Sequence, residues 1–91
     1  MVFIDTRSNG PYSRGHIPDA INLYTFTNLT KEKLSELVDP DDEVVFYCGG
    51  EDCPLSPNAS AKALVWGYTK VYYFAAGYPA WKDAGHPIIT D

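Results

Sequence analysis

Val44-Val45-Phe46-Tyr47 is an apolar run with no polar residue inside it, and it ends directly in Cys48-Gly49-Gly50. A half-exposed strand alternates apolar and polar positions, so a run this short and this unbroken predicts a strand buried on both faces. Such a strand needs a sheet with a helical layer on each side, and the rest of the chain offers the parts. Val2-Phe3-Ile4 is a second β-type run, ending at Asp5, and Val71-Tyr72-Tyr73-Phe74 is a third. Between them the helix signals alternate. Asn9-Gly10-Pro11 and Gly15-His16-Ile17-Pro18 break the chain on either side of a brief helical stretch. Thr30 is a good N-cap for a helix over Lys31 to Val38, with Leu34, Leu37 and Val38 on one face, and Asp39-Pro40-Asp41-Asp42 stops it. Ser56-Pro57 reads as N-cap and first-turn proline of a helix running to about Trp66, with Gly67 as its terminator. Ala59, Ala61 and Ala63 keep this helix narrow for close packing, and Gly77-Tyr78-Pro79 leads into a last short helix around Trp81. Alternating strands and helices predict a three-layer α/β domain with a mainly parallel sheet and helices on both faces.

The 91 residues suffice for one domain, residues 1–91, and not for two. A chain of this size buries roughly 60–65% of the surface it exposes when unfolded, so the core is modest. With 45% hydrophobic residues the composition is that of a globular protein and not of a disordered one. No apolar run approaches the roughly 20 residues that cross a bilayer, and no charged-then-apolar leader is visible, so no membrane association is expected. The net charge is −5 and the seven Lys and Arg residues are scattered, which argues against nucleic acid as a partner. Two cysteines are too few for a disulfide framework. Compartment stays open, with the cytoplasm slightly ahead of periplasmic or other extracytoplasmic sites.

Cys48 stands at the carboxyl end of the apolar strand, where ligands of open α/β sheets bind. Gly49 and Gly50 can turn backbone N–H groups inward, and the helix opening near Pro57 adds its positive end. Both favour thiolate, the nucleophilic form. From position alone, a buried and inert cysteine stays open as the other reading.

The residues resemble the rhodanese-like domain family along almost the whole chain. Phe3-Ile4-Asp5-Thr6-Arg7 is similar to its strand followed by Asp-x-Arg, and Gly15-His16-Ile17-Pro18-Asp19-Ala20 to its G-H-I-P-G-A stretch. Val45-Phe46-Tyr47-Cys48 falls where the family's strand delivers its active cysteine. Gly67-Tyr68 to Val71, then Ala76-Gly77-Tyr78-Pro79-Ala80-Trp81, resembles the closing motif. The resemblance implies sulfurtransferase-type chemistry without a cofactor. Cys48 would take a sulfane sulfur from a small donor, hold it as a persulfide and pass it to a thiol acceptor. The active-site loop would be Gly49, Gly50, Glu51, Asp52, Cys53, Pro54, Leu55 and Ser56, with Asp5, Arg7 and His16 as structural support.

Three departures bear on function. If Ser56 takes the family's Ser position, the loop is about two residues longer than the usual six, and Leu55 stands where a basic residue is expected. Glu51 and Asp52 oppose thiolate formation and the approach of an anionic donor, which weakens the case for thiosulfate. Phosphatase or arsenate reductase chemistry needs an arginine six residues after the cysteine, and Pro54 is there. The family's usual first strand and helix have no counterpart before Val2, so either the first strand is absent and a sheet edge lies open, or the chain is an excised piece of a longer one. A homodimer, or docking within a parent protein, would use that edge.

Several side chains carry two readings. Cys53 either resolves an oxidised or persulfidated Cys48 or is a loop cysteine without a partner. His16 either acts as a general base or fastens its loop to backbone groups. Asp5 and Arg7 either pair beneath the site or touch substrate. A zinc site from Cys48, Cys53, His16 and His86 is the least favoured arrangement, because the cysteine spacing is loose, so no metal is expected. Beside sulfur transfer stand two alternatives, a thiol redox or sensor domain using Cys48 and Cys53, and a non-catalytic binding module on the same fold.

Overall fold

The computed structural model describes residues 1–50 and 52–90; of the residues singled out above, Glu51 lies outside them. The chain runs β1 (Val2–Asp5), α1 (Asn9–Arg14), β2 (Ile21–Asn22), α2 (Lys31–Leu37), β3 (Val44–Tyr47), α3 (Leu55–Val65), β4 (Val71–Phe74) and α4 (Gly77–Asp83). The strands pair in the order β2-β1-β3-β4, and every pair is parallel. In β3 all residues are buried, as the unbroken apolar run requires, because it lies between β1 and β4 with side chains packed above and below. On one face Ile4, Val44 and Phe46 pack with Leu34 and Val38 at α2 and with Ala59 and Ala63 of α3. On the other, Tyr47 and Phe3 pack with Ile17, Ala20, Tyr78 and Trp81, the last two from α4. The domain is therefore the three-layer α/β arrangement that the sequence implies.

Local chemistry accounts for most boundaries. Thr30 Oγ1 accepts from the Lys33 N–H at 3.1 Å and caps α2. Asp42 Oδ2 accepts from the Asp39 N–H at 3.1 Å and shapes the turn before β3. After α3, Gly67 takes φ +97, a value available to glycine, and its N–H donates to Leu64 O.

Four local expectations need correction. Asn9-Gly10-Pro11 does not break the chain but forms the first turn of α1, where proline's missing N–H costs no helical bond. Ser56 is not an N-cap: α3 starts at Leu55, Pro54 holds the cap position without a side-chain cap bond, and Ser56 is buried in the first turn. Leu37 is exposed while Leu34 and Val38, four apart, are buried, so the apolar stripe of α2 is narrower than expected. Ala61 is exposed on α3, and close packing rests on Ala59 and Ala63 alone, again four apart.

β1 connects to β2 on one side of the sheet, and β3 connects to β4 on the other. In open α/β sheets, ligands bind beyond the carboxyl ends of the strands at such a reversal. Asp5 and Tyr47 close the two strands in register there. Arg7, just past β1, donates Nε to Asp5 Oδ1 at 3.0 Å and Nη2 to Oδ2 at 2.6 Å, and Nη2 also reaches Gly15 O at 2.7 Å. Removing only the carboxylate would leave the Arg7 charge buried without its counter-ion. Asp5→Ala should lower the urea-unfolding free energy by about 3–5 kcal/mol, and the double variant Asp5→Ala/Arg7→Met by clearly less. Equal losses in the two proteins would show that Asp5 is not what neutralises Arg7.

Candidate active site

Cys48 follows the last residue of β3 and is only 2% exposed. It is joined to Cys53 by a disulfide, with Cα atoms 6.3 Å apart, inside the usual span for such a bond. Cys53 is therefore not a loop cysteine without a partner. The pairing needs the chain to reverse between the two residues, and the backbone does so. Gly50 has φ +143, outside the range most side chains tolerate, and the Cys53 N–H donates to Gly50 O at 3.2 Å. Beyond Cys53, Pro54 leads into α3, whose first-turn carbonyl at Leu55 accepts from Thr25 Oγ1 at 2.9 Å. The loop is thus held at its strand end, at its turn and at its helix end.

Its strand end is held by α4. The Tyr78 N–H donates to Cys48 O at 2.9 Å, and Gly77, at φ +65, lies so close that a Cβ there would collide with the same carbonyl. The Tyr78 ring lies under the Arg7 guanidinium at 4.6 Å, a cation–π contact. A Cβ at Gly15 would collide with the Tyr78 hydroxyl, which explains why glycine precedes His16. Thr6 adds two bonds to the end of β3, its N–H and its Oγ1 both donating to Tyr47 O, at 3.0 and 2.8 Å.

Charge under the loop is neutralised internally. Burial works against the Arg7 cation, but the hydrogen bonds and charge of Asp5 outweigh it and hold the guanidinium protonated. Burial first, and then the Asp5 charge, push the Tyr47 phenol well above its ordinary range. Tyr47 stays neutral and its oxygen accepts from the Ile17 N–H at 3.2 Å. Asp5 and Arg7 therefore pair beneath the loop, as the first of their two readings had it.

His16 is occupied elsewhere. Its Nδ1 lies 2.9 Å from Tyr12 O, its ring stacks on Tyr12 at 3.8 Å, and its backbone bridges Ile89 in both directions. These contacts favour the fastening role. His86 is exposed and its ring lies 4.6 Å from that of Trp81. Asp52 and Pro54 are exposed, while Gly50, Cys53 and Leu55 are half-buried. Ser56 is fully buried, and among the described residues its Oγ has no hydrogen-bond partner. An unmet buried hydroxyl in the first turn of a helix can donate to an anion at that helix end.

Gly77, Tyr78 and Thr6 hold the loop although their roles were not read from sequence. Each lies inside a motif that was recognised, but spacing says nothing of which carbonyl a backbone N–H will meet.

Comparison with known proteins agrees with this geometry. The rhodanese-like domain family profile matches residues 1–84. A "Sulfurtransferase" of Allochromatium vinosum is 31% identical over 90 residues, covering 99% of this chain and 79% of that protein. The "HTH-type transcriptional regulator Rv0324" of Mycobacterium tuberculosis is 34% identical over 88 residues, 97% of this chain, which spans only 37% of the regulator's length. A solved structure titled "rhodanese with anions" from E. coli superposes with a TM-score of 0.77 at 26% identity, covering 99% of this chain and 98% of that one. By profile, relatives and fold together, the chain belongs to the rhodanese-like domain family.

Proposed function

We propose that the reduced domain accepts sulfane sulfur on Cys48 and passes it to a thiol. The observation that carries the reading is the position of Cys48, past the carboxyl end of a buried central strand where the sheet reverses its order. The Cys48 thiolate attacks the sulfane sulfur of a donor, the donor's S–S bond breaks, and its electron pair leaves with the remainder of the donor. The anionic persulfide is stabilised by the N-terminal end of α3, by loop N–H groups and by the unpartnered Ser56 hydroxyl. Arg7 is a positioning residue, because its guanidinium is already committed to Asp5 and Gly15. No cofactor takes part. The outer side of β4, an edge strand with exposed Tyr72 and Tyr73, supports docking to a second copy or within a longer chain.

Reduced wild type treated with a sulfane donor should gain the mass of one sulfur, or the products of its discharge. Cys48→Ser should do neither while keeping its unfolding free energy within about 1 kcal/mol of reduced wild type. A sulfur adduct on Cys48→Ser equal to that on wild type would refute the assignment.

Charge sets the donor. There is no Lys or Arg between Cys48 and Lys62, Lys62 Nζ donates to Thr25 O at 3.3 Å, and exposed Asp52 adds negative charge. A charge-assisted contact is worth about 1.5–3 kcal/mol, so its absence costs a dianion roughly ten- to hundredfold in rate. Thiosulfate, a dianion, should load Cys48 more slowly than a singly charged aromatic thiosulfonate, which leaves the same persulfide and releases a sulfinate. Asp52→Asn and Glu51→Gln should narrow the gap. Stopped-flow loading rates that are equal for both donors and unmoved by the two substitutions would contradict this.

A further inference from the structure

The Cys48–Cys53 bond has a consequence for how a persulfide leaves the domain. Cys48 Sγ and Cys53 Sγ reach bonding contact with β3 and α3 both intact, across a turn held by Gly50 and by the Cys53 N–H. A thiol at Cys53 is therefore placed to meet Cys48 Sγ itself, the inner sulfur of any persulfide there. The outer sulfur is a good leaving group as hydrosulfide, which favours attack on the inner one.

We propose that Cys53 is a resolving cysteine that discharges the Cys48 persulfide as hydrosulfide, an inference that rests on the sulfane-sulfur reading above. Cys53 loses its proton to solvent and its sulfur attacks Cys48 Sγ. The Cys48–Cys53 bond forms, the bond from Cys48 Sγ to the outer sulfur breaks, and that sulfur leaves with the electron pair as hydrosulfide. The sulfane sulfur is reduced by two electrons, and the two cysteine sulfurs are oxidised together. Oxygen is not needed, because the donor's sulfane sulfur is the oxidant. An external dithiol then reduces the disulfide by exchange and is itself oxidised to a disulfide.

Access within the loop fits this order. In the disulfide form Cys48 is buried and Cys53 is half-buried, so an incoming thiolate meets the Cys53 sulfur first. Attack there frees Cys48, the residue that must next meet a donor. The reductant class is thus a small or protein dithiol, and hydrosulfide release is a second outlet for the sulfur on Cys48, beside its transfer to an acceptor thiol.

The test is a single turnover without oxygen. Reduced, desalted full-length wild type, Cys53→Ser, Cys53→Ala and Cys48→Ser receive one equivalent of an aromatic thiosulfonate, whose sulfinate leaves as the Cys48 persulfide forms, with no added thiol. Free sulfide is trapped with monobromobimane and the protein is weighed intact. Wild type should release one equivalent of sulfide and lose two hydrogens. Both Cys53 variants should stop at the persulfide, one sulfur heavier, and release no sulfide. Cys48→Ser should show neither change. Wild type that stays one sulfur heavier and releases no more sulfide than the Cys53 variants would overturn the resolving role while leaving sulfur acceptance standing. Absence of any sulfur adduct on the Cys53 variants, with no sulfide from wild type, would overturn both. The wild-type sulfide yield decides the matter even should the Cys53 variants fail to fold.

Discussion

One guanidinium ties together the segments that surround the loop between β3 and α3. Arg7 pairs with Asp5 at the end of β1, donates to the Gly15 carbonyl, and lies over the Tyr78 ring at the start of α4. Gly49 passes close to its Cδ. A buried ion pair is weak evidence of stability by itself, because desolvation offsets most of the attraction. Here its contribution is geometric. It fixes Tyr78, whose N–H holds the carbonyl of Cys48, and it fixes Gly15, which gives the Tyr78 ring its space.

That geometry separates the work of charge from the work of backbone. The cation under the loop is spent on Asp5, and the loop above it carries acidic residues instead of a basic one. Stabilisation of an anionic sulfur must then come from N–H groups, from the end of α3 and from Ser56. In the disulfide form Cys48 is out of solvent. Reduction is the step that makes the proposed nucleophile available.

The sheet, its parallel sense and both helical layers were legible because they rest on periodicity and on strong punctuation. The unbroken Val44 to Tyr47 run had one sensible structural meaning, and Thr30 and Gly67 end their helices as their chemistry requires. The start of α3 was misread by two residues because Ser before Pro is a common capping pair, whereas here Ser56 is drawn into the interior and Pro54 takes the cap position. Leu37 was placed on the buried face by helical spacing, and Ala61 was counted among the residues that keep α3 narrow; packing shows both exposed. Cys53 could not be decided from spacing, since a five-residue separation permits a disulfide without requiring one. The turn at Gly50 decides it. Tyr78 and Thr6 act through backbone N–H groups and a short hydroxyl bond, which no residue pattern announces.

The central claim is that sulfur enters the domain at Cys48 and nowhere else. Both cysteines lie in one stretch without Lys or Arg between Cys48 and Lys62, so a single tryptic peptide carries them, and fragment ions between them tell them apart. Reduced protein is mixed with an aromatic thiosulfonate labelled at its sulfane sulfur, quenched with an alkylating agent at successive times, and digested. Labelled sulfur should appear first on Cys48 at every early time point. Label appearing first on Cys53 would contradict the account.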